Sequence, residues 1–134
     1  MAQIDDPGVQ LLLSQQKNHA VISTHNDDGT IHSAVAWVNV ENGKLAFNSA
    51  VGRKWPTNLE RDPHVTVIVY DETNPYDYVE VRGTVTPSTD GADEHIDRLA
   101  KRYLNADSYP FRQPGEQRIS FFVEPSLVRH QKQG

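Results

Sequence analysis

The residues best suited to chemistry lie in one short run, Gly52-Arg53-Lys54-Trp55-Pro56-Thr57-Asn58-Leu59-Glu60-Arg61-Asp62-Pro63-His64. Two adjacent cations precede a Trp, a Pro and an Asn, and a second Pro closes the run. Two readings stand open at this point: a short helix joining two strands, or an anchor for an anionic ligand. Nothing else in the chain announces a reaction. It has no GxSxG, no P-loop and no GxGxxG. It has no cysteine, which excludes disulfides, thiolate zinc sites and Cys nucleophiles. The six histidines, His19, His25, His32, His64, His95 and His130, form no HExxH and no close ligand pair. That argues against a metal site. The carboxylates are scattered, and no triad or dyad is displayed. An enzyme built on this chain would leave the chemistry to a cofactor.

Composition sets the frame for those residues. At 134 residues the chain is expected to form one domain, residues 1–134, with a single core. Hydrophobic residues make up 37% and charged residues 23%, as in a globular protein. The net charge of -5 argues against a general binder of nucleic acid or acidic membrane. A local basic patch for a small anion is compatible with it. No apolar stretch approaches the roughly 20 residues of a membrane span. The start, MAQIDDPGVQ, lacks the basic and apolar regions of a signal peptide. A soluble, cytoplasmic protein is expected.

The elements that must position the run are legible from pattern. DDPGVQLLLSQQ suits a helix start, with a Pro in the first turn. HAVISTH reads as a strand, and NDDG carries the Asp-Gly signal of a hairpin. TIHSAVAWVNV alternates as a second strand, Asn42-Gly43 marks another hairpin, and KLAFNSA is the third strand. Pro56 fits only early in a helix and Pro63 discourages helix beyond it, so the run between them holds a short helix. HVTVIVYD is a fourth strand, ETNPYD a loop and YVEVRGTVTP a fifth strand. Gly83 there marks a bulge or a close approach. STDGADEHIDRLAKRYL is the clearest helix, with Ile96, Leu99, Ala100, Tyr103 and Leu104 at the helical period and Ser88, Thr89 and Asp90 as candidate caps. RISFFVEP is the last strand, followed by a short tail. Six strands joined largely by hairpins predict an antiparallel sheet closed or nearly closed into a barrel.

In this order, ISTHNDDGTIHSAVAW, FNSAVGRKWPTNLERDPHVTV, YVEVRGTV and LAKRYLNADSYPFRQPGEQRISFFVEPSLV resemble the split-barrel FMN-binding superfamily typified by pyridoxamine phosphate oxidase. More narrowly, they resemble the small deazaflavin-dependent oxidoreductases that bind coenzyme F420. The resemblance implies a mainly β fold with α: a six-stranded antiparallel split β-barrel of Greek-key type with flanking helices. It also implies a homodimer with the cofactor in a cleft at the subunit interface. The cofactor's phosphate-bearing tail would be held by Asn48, Ser49, Arg53 and Lys54, with Asn58 further along the helix. A helix start and a guanidinium fork both suit phosphate. Trp37 and Tyr78 are carried over as cofactor contacts, beside the alternative that both simply pack. Tyr109 and Phe111 lie in a loop that either lines the substrate cleft or staples itself down. The sequence departs from the family's GRxK pattern, because Trp55 stands where the second cation is usual and Lys54 comes one residue earlier. One residue on a helix turns a side chain by about 100°. The implied activity is an F420H2-dependent reductase that moves a hydride to a small conjugated substrate. The alternatives are an FMN-dependent oxidoreductase of the same fold and a non-catalytic flavin or deazaflavin carrier. No catalytic residue is assigned.

Overall fold

The structure, a computed structural model, describes residues 2–132. Its strands are β1 (Ala20–His25), β2 (Ile31–Ala36), β3 (Val38–Glu41), β4 (Lys44–Ala50), β5 (His64–Asp71), β6 (Asn74–Ser88) and β7 (Arg118–Lys132). They form one sheet in the order β2-β1-β5-β6-β7-β4-β3, antiparallel throughout. The helices are α1 (Pro7–Gln10), which runs into a π turn over Leu11–Gln15, α2 (Lys54–Arg61) and α3 (Ala92–Leu104). Both marked hairpins turn through left-handed backbone, at Gly29 in one and at Asn42 and Gly43 in the other. Among the described residues no helix is long and apolar enough to cross a membrane.

The strand count is seven rather than six, because TIHSAVAWVNV is two strands. Its alternation is unbroken, so pattern alone reads it as one. Trp37 interrupts it, and the two halves lie at opposite edges of the sheet. One residue advances the chain by about 3.8 Å, whereas neighbouring strands already stand about 4.8 Å apart. A single-residue link between the two edges therefore requires the sheet to curl until those edges nearly meet. The corner is pinned from α3. The Trp37 ring stacks on Tyr103 at 5.3 Å and 6°. The Tyr103 hydroxyl accepts the Val38 N–H at 3.1 Å and donates to the Asn18 carbonyl at 2.6 Å. The Arg102 guanidinium caps the Val38 carbonyl.

Inside the curl, alternate residues meet. Ile22, Val67, Val81, Phe47 and Phe121 are fully buried, and Leu12 and Leu13 from the π turn plug the centre. The strands β6 and β7 run longer than pattern suggests. Only Glu72 and Thr73 of ETNPYD lie outside strands, and β7 continues past RISFFVEP to Lys132. The reason is mutual pairing, which reaches as far as Asp77 opposite Lys132. At Gly83 the register shifts, and a Cβ there would stand 2.1 Å from the Glu124 carbonyl oxygen. The helix α3 buries Ile96, Leu99 and Ala100 as its period predicts, while Leu104 is exposed. Its N-cap is Gly91 in left-handed backbone rather than Ser88, Thr89 or Asp90. Asp93 and Glu94 in its first turn complement the helix dipole instead.

Candidate functional site

The end of β4, the start of α2, the corner at Trp37 and the start of β7 converge on one cavity of about 220 Å³. Its walls include Val35, Trp37, Asn48, Ser49, Arg53, Trp55, Ile96, Tyr109, Phe111 and Arg118. Of the residues expected from the sequence, Trp37, Asn48, Ser49 and Arg53 are brought together here, and Tyr109 and Phe111 line the same space.

One end of the cavity is cationic. Arg53 is the N-cap residue of α2, with extended backbone and a half-exposed side chain. Arg118 is buried at the head of β7, opposite Ala50 in the β4 ladder. The two guanidinium groups share one carboxylate. Arg118 pairs directly with Glu116, and Arg53 Nη2 lies 3.9 Å from the other Glu116 oxygen. One net positive charge is left over. Burial alone would raise the Glu116 pKa, but the Arg118 hydrogen bond and charge hold it below the ordinary carboxylate value. Ser49 is buried at the cavity wall, and among the described residues its hydroxyl has no hydrogen-bond partner.

The other end is aromatic. Tyr109 meets the Trp37 ring edge-on at 6.1 Å, and Phe111 meets Tyr109 edge-on at 5.7 Å. The Arg118 guanidinium lies 5.0 Å over the Tyr109 ring and so joins the two ends. The loop carrying Tyr109 and Phe111 is tied to α3. The Tyr109 N–H donates to Asp97 at 2.8 Å, and Arg112 reaches Asp93 and Asp97 at 2.8 and 2.9 Å.

Three expected residues lie elsewhere. Lys54 opens α2, is exposed and does not line the cavity; its charge acts on Asp28 in the β1–β2 turn. Trp55 packs against the stacked pair Phe47 and Phe121 at 5.4 and 5.6 Å and touches the cavity from the core side. Asn58 is buried, and its amide donates to Thr24 Oγ1 at 3.1 Å and Asn26 Oδ1 at 3.0 Å. That moors α2 to the first hairpin. Tyr78 lies on the opposite, outer face of the sheet, between Tyr70 and Gln131, beside a separate hollow with Glu80 and Arg129. Asn48 lines the cavity, but its side chain is fully engaged. Its amide donates to the Ala92 carbonyl and to Ser120 Oγ, and its oxygen accepts Arg118 Nε–H.

Sequence reasoning did not reach Arg118. The signal for it is weak, since only the β4–β7 register brings it beside the β4 end. Among the described residues no group of three or more His, Asp or Glu side chains forms a metal site.

Comparison with known proteins bears on the family and the fold. The model of the family described as pyridoxamine 5'-phosphate oxidase matches residues 9–132. Among solved structures, one named F420 Reductase is 26% identical with a TM-score of 0.77, covering 92% of this chain and 98% of its own. A conserved hypothetical protein from Mycobacterium tuberculosis is 19% identical with a TM-score of 0.69, covering 87% of this chain and 78% of its own. General Stress Protein 26 from Bacillus anthracis is 21% identical with a TM-score of 0.66, covering 91% and 90%. The last two speak to fold alone. No curated protein matches the chain significantly.

Proposed function

The chain belongs to the pyridoxamine 5'-phosphate oxidase family, and from that premise we propose that it is an F420H2-dependent reductase acting as a homodimer on a small conjugated substrate. One observation carries the reading: a single cavity joins a cationic end to an aromatic wall. The ligand that suits such a cavity bears an anionic tail and a flat ring in one molecule. Phosphorylated flavins and deazaflavins are of that kind. The 26% identical neighbour named F420 Reductase supports the deazaflavin.

The residues present fit the group. Arg53 and Ser49 would hold the phosphate at the start of α2, where free N–H groups add to the positive field. Trp37 and Tyr109 would face the ring. When bound, the deazaflavin supplies a hydride to an electrophilic carbon. The chain's own contribution is to orient ring and substrate and to exclude water, and positioning of this kind is a large part of catalysis.

Shape supports the second copy. A volume of about 220 Å³ is below the roughly 300–1,000 Å³ usual for a cofactor-sized pocket. Val35 lines the cavity and is also 69% exposed on the outer face of the edge strand β2. It continues there into Val21 and Ile68, in register, and Ile31, four residues earlier on the same face of β2, is 56% exposed. An apolar face running into an incomplete pocket suits a partner that covers the one and completes the other. Light scattering should return a dimer. Val35→Lys should yield a folded monomer with weakened cofactor binding, whereas a monomeric wild type binding cofactor at full strength would refute the arrangement.

The activity is tested by titrating the purified protein with F420 and with FMN and following fluorescence. Saturable F420 binding is expected. Tight FMN binding with no response to F420 would replace the proposal by its flavin alternative, which family membership favours as second choice. Mixing the reduced, cofactor-loaded protein with a panel of enones and quinones then separates reductase from carrier. Acceptor-dependent reoxidation is expected, and its absence across the panel would mark a carrier.

A further inference from the structure

The cavity's buried cation rests on a chain of side chains that runs behind it to the far side of α3. Each link has a defined direction. Arg98 donates to both Glu41 oxygens, at 3.1 and 2.6 Å to one and 3.2 Å to the other. The Asn39 amide donates to Glu41 at 2.7 Å, which turns the Asn39 oxygen toward His95 Nε2 at 2.9 Å. An oxygen there can only accept, so Nε2 carries the proton. Neutral imidazole has one donor and one acceptor. His95 Nδ1 is therefore the acceptor, and it takes the Ser120 hydroxyl proton at 2.7 Å. With its proton committed, Ser120 Oγ accepts from the Asn48 amide at 3.1 Å. The Asn48 oxygen is thus left to accept Arg118 Nε–H at 2.9 Å.

We propose that His95 is a positioning residue: as its Nε2–H tautomer it fixes, through Ser120 and Asn48, the guanidinium of Arg118 as a second anion-binding group of the cavity. Arg118 has five N–H donors. One goes to Asn48 and one to Glu116, and the remaining three belong to a group that lines the cavity. The imidazole is 1% exposed and stays neutral at ordinary pH, because burial lowers its pKa to about 4. Glu41 from β3 works against that shift, and Arg98 on α3 itself works with it. The opposite tautomer would turn Nδ1–H onto Ser120 and point the hydroxyl proton at the Asn48 amide. Donor would then face donor, and only the Ala92 carbonyl would be left to hold the Asn48 amide and keep its oxygen toward Arg118.

This inference rests on the cofactor reading for the identity of the anion, but not for the network, so the two fail separately. Nitrogen-15 NMR of the ligand-free protein at neutral pH should show His95 protonated on Nε2 alone, and a protected Arg118 Nε–H resonance. An imidazolium or an Nδ1–H tautomer overturns the proposal whatever the protein binds. Two substitutions separate the ring nitrogens. His95→Asn keeps an acceptor where Nδ1 stands and should retain the protected Arg118 signal. His95→Gln keeps a donor near Nε2 and should lose it, as should Ser120→Ala. F420 affinity should fall about tenfold in His95→Gln and Ser120→Ala, the scale of one charge-assisted hydrogen bond. In His95→Asn it should stay within about twofold, well under one such bond. Equal losses in both His95 variants would make the residue a packing element only. Failure of the wild type to bind F420 would sink the cofactor assignment while leaving the NMR result to decide the network.

Discussion

Arg53 reaches the cavity from a half-exposed position, so its loss should cost binding and not stability. Arg53→Ala removes one charge-assisted contact, about 1.5 kcal/mol or roughly tenfold in affinity. Lys54 points away from the cavity, so Lys54→Ala should change affinity by less than about twofold, as expected of a solvated charge. Fluorescence titration with F420 beside calorimetry of the two variants checks both statements, and equal affinities would remove Arg53 from the site. The contrast also marks how far the sequence reaches. A cation beside a helix start and two prolines is a local pattern, so Arg53 is readable. Arg118 is not, because it meets Arg53 only through the pairing of Ala50 with Arg118 and a shared Glu116. Asn58 sits in the right run, yet its amide is used by Thr24 and Asn26, partners that no local pattern names.

At the scale of elements, α2 presents Arg53 only because its other end is moored. Asn58→Ala would leave the buried Thr24 hydroxyl without its donor and release the helix from the first hairpin. A loss of about 2 kcal/mol is expected in urea unfolding, the cost of a stranded buried polar group. Arg53→Ala should show none of it, and Asn58→Ala unfolding at the wild-type midpoint would deny the mooring. The loop carrying Tyr109 and Phe111 is held differently, by the exposed pairs of Arg112 with Asp93 and Asp97. Such pairs contribute about 0–1 kcal/mol, so Arg112→Ala should scarcely alter global stability. It should raise hydrogen exchange at the Tyr109 amide, whose acceptor Asp97 loses its partner. Unchanged exchange there would mean that the aromatic packing alone holds the loop. Strands, hairpins and the period of α3 were readable because each is decided by neighbours in sequence. The split of TIHSAVAWVNV was not, because it depends on Tyr103, Arg102 and α3 pinning the corner at Trp37 and Val38.

For the molecule as a whole, the curl that brings the two sheet edges together also shuts His95 between α3 and the strands, and this makes folding sensitive to acid. Burial lowers the His95 pKa from the ordinary 6.5 to about 4. Well above pH 6.5 the imidazole is neutral in both folded and unfolded chains and contributes no difference. Between 6.5 and about 4 the unfolded chain takes up a proton that the folded protein refuses, so falling pH favours unfolding. Below about 4 both states carry the proton and the difference stops growing. The full effect is on the order of 3 kcal/mol, and about 2 kcal/mol of it falls between about pH 7.5 and pH 5. Glu41 and Glu116 act lower on the scale. Burial would raise both, but Arg98 and Arg118 respectively hold them down, so their contribution is lost only as pH falls below the usual carboxylate value. The two effects are therefore separable by pH. Urea unfolding of the wild type should lose stability from about pH 7.5 to pH 5, while His95→Asn, whatever its starting stability, should lose about 2 kcal/mol less over that interval. Parallel pH curves for the two proteins would show that the sealed imidazole is not the group that titrates.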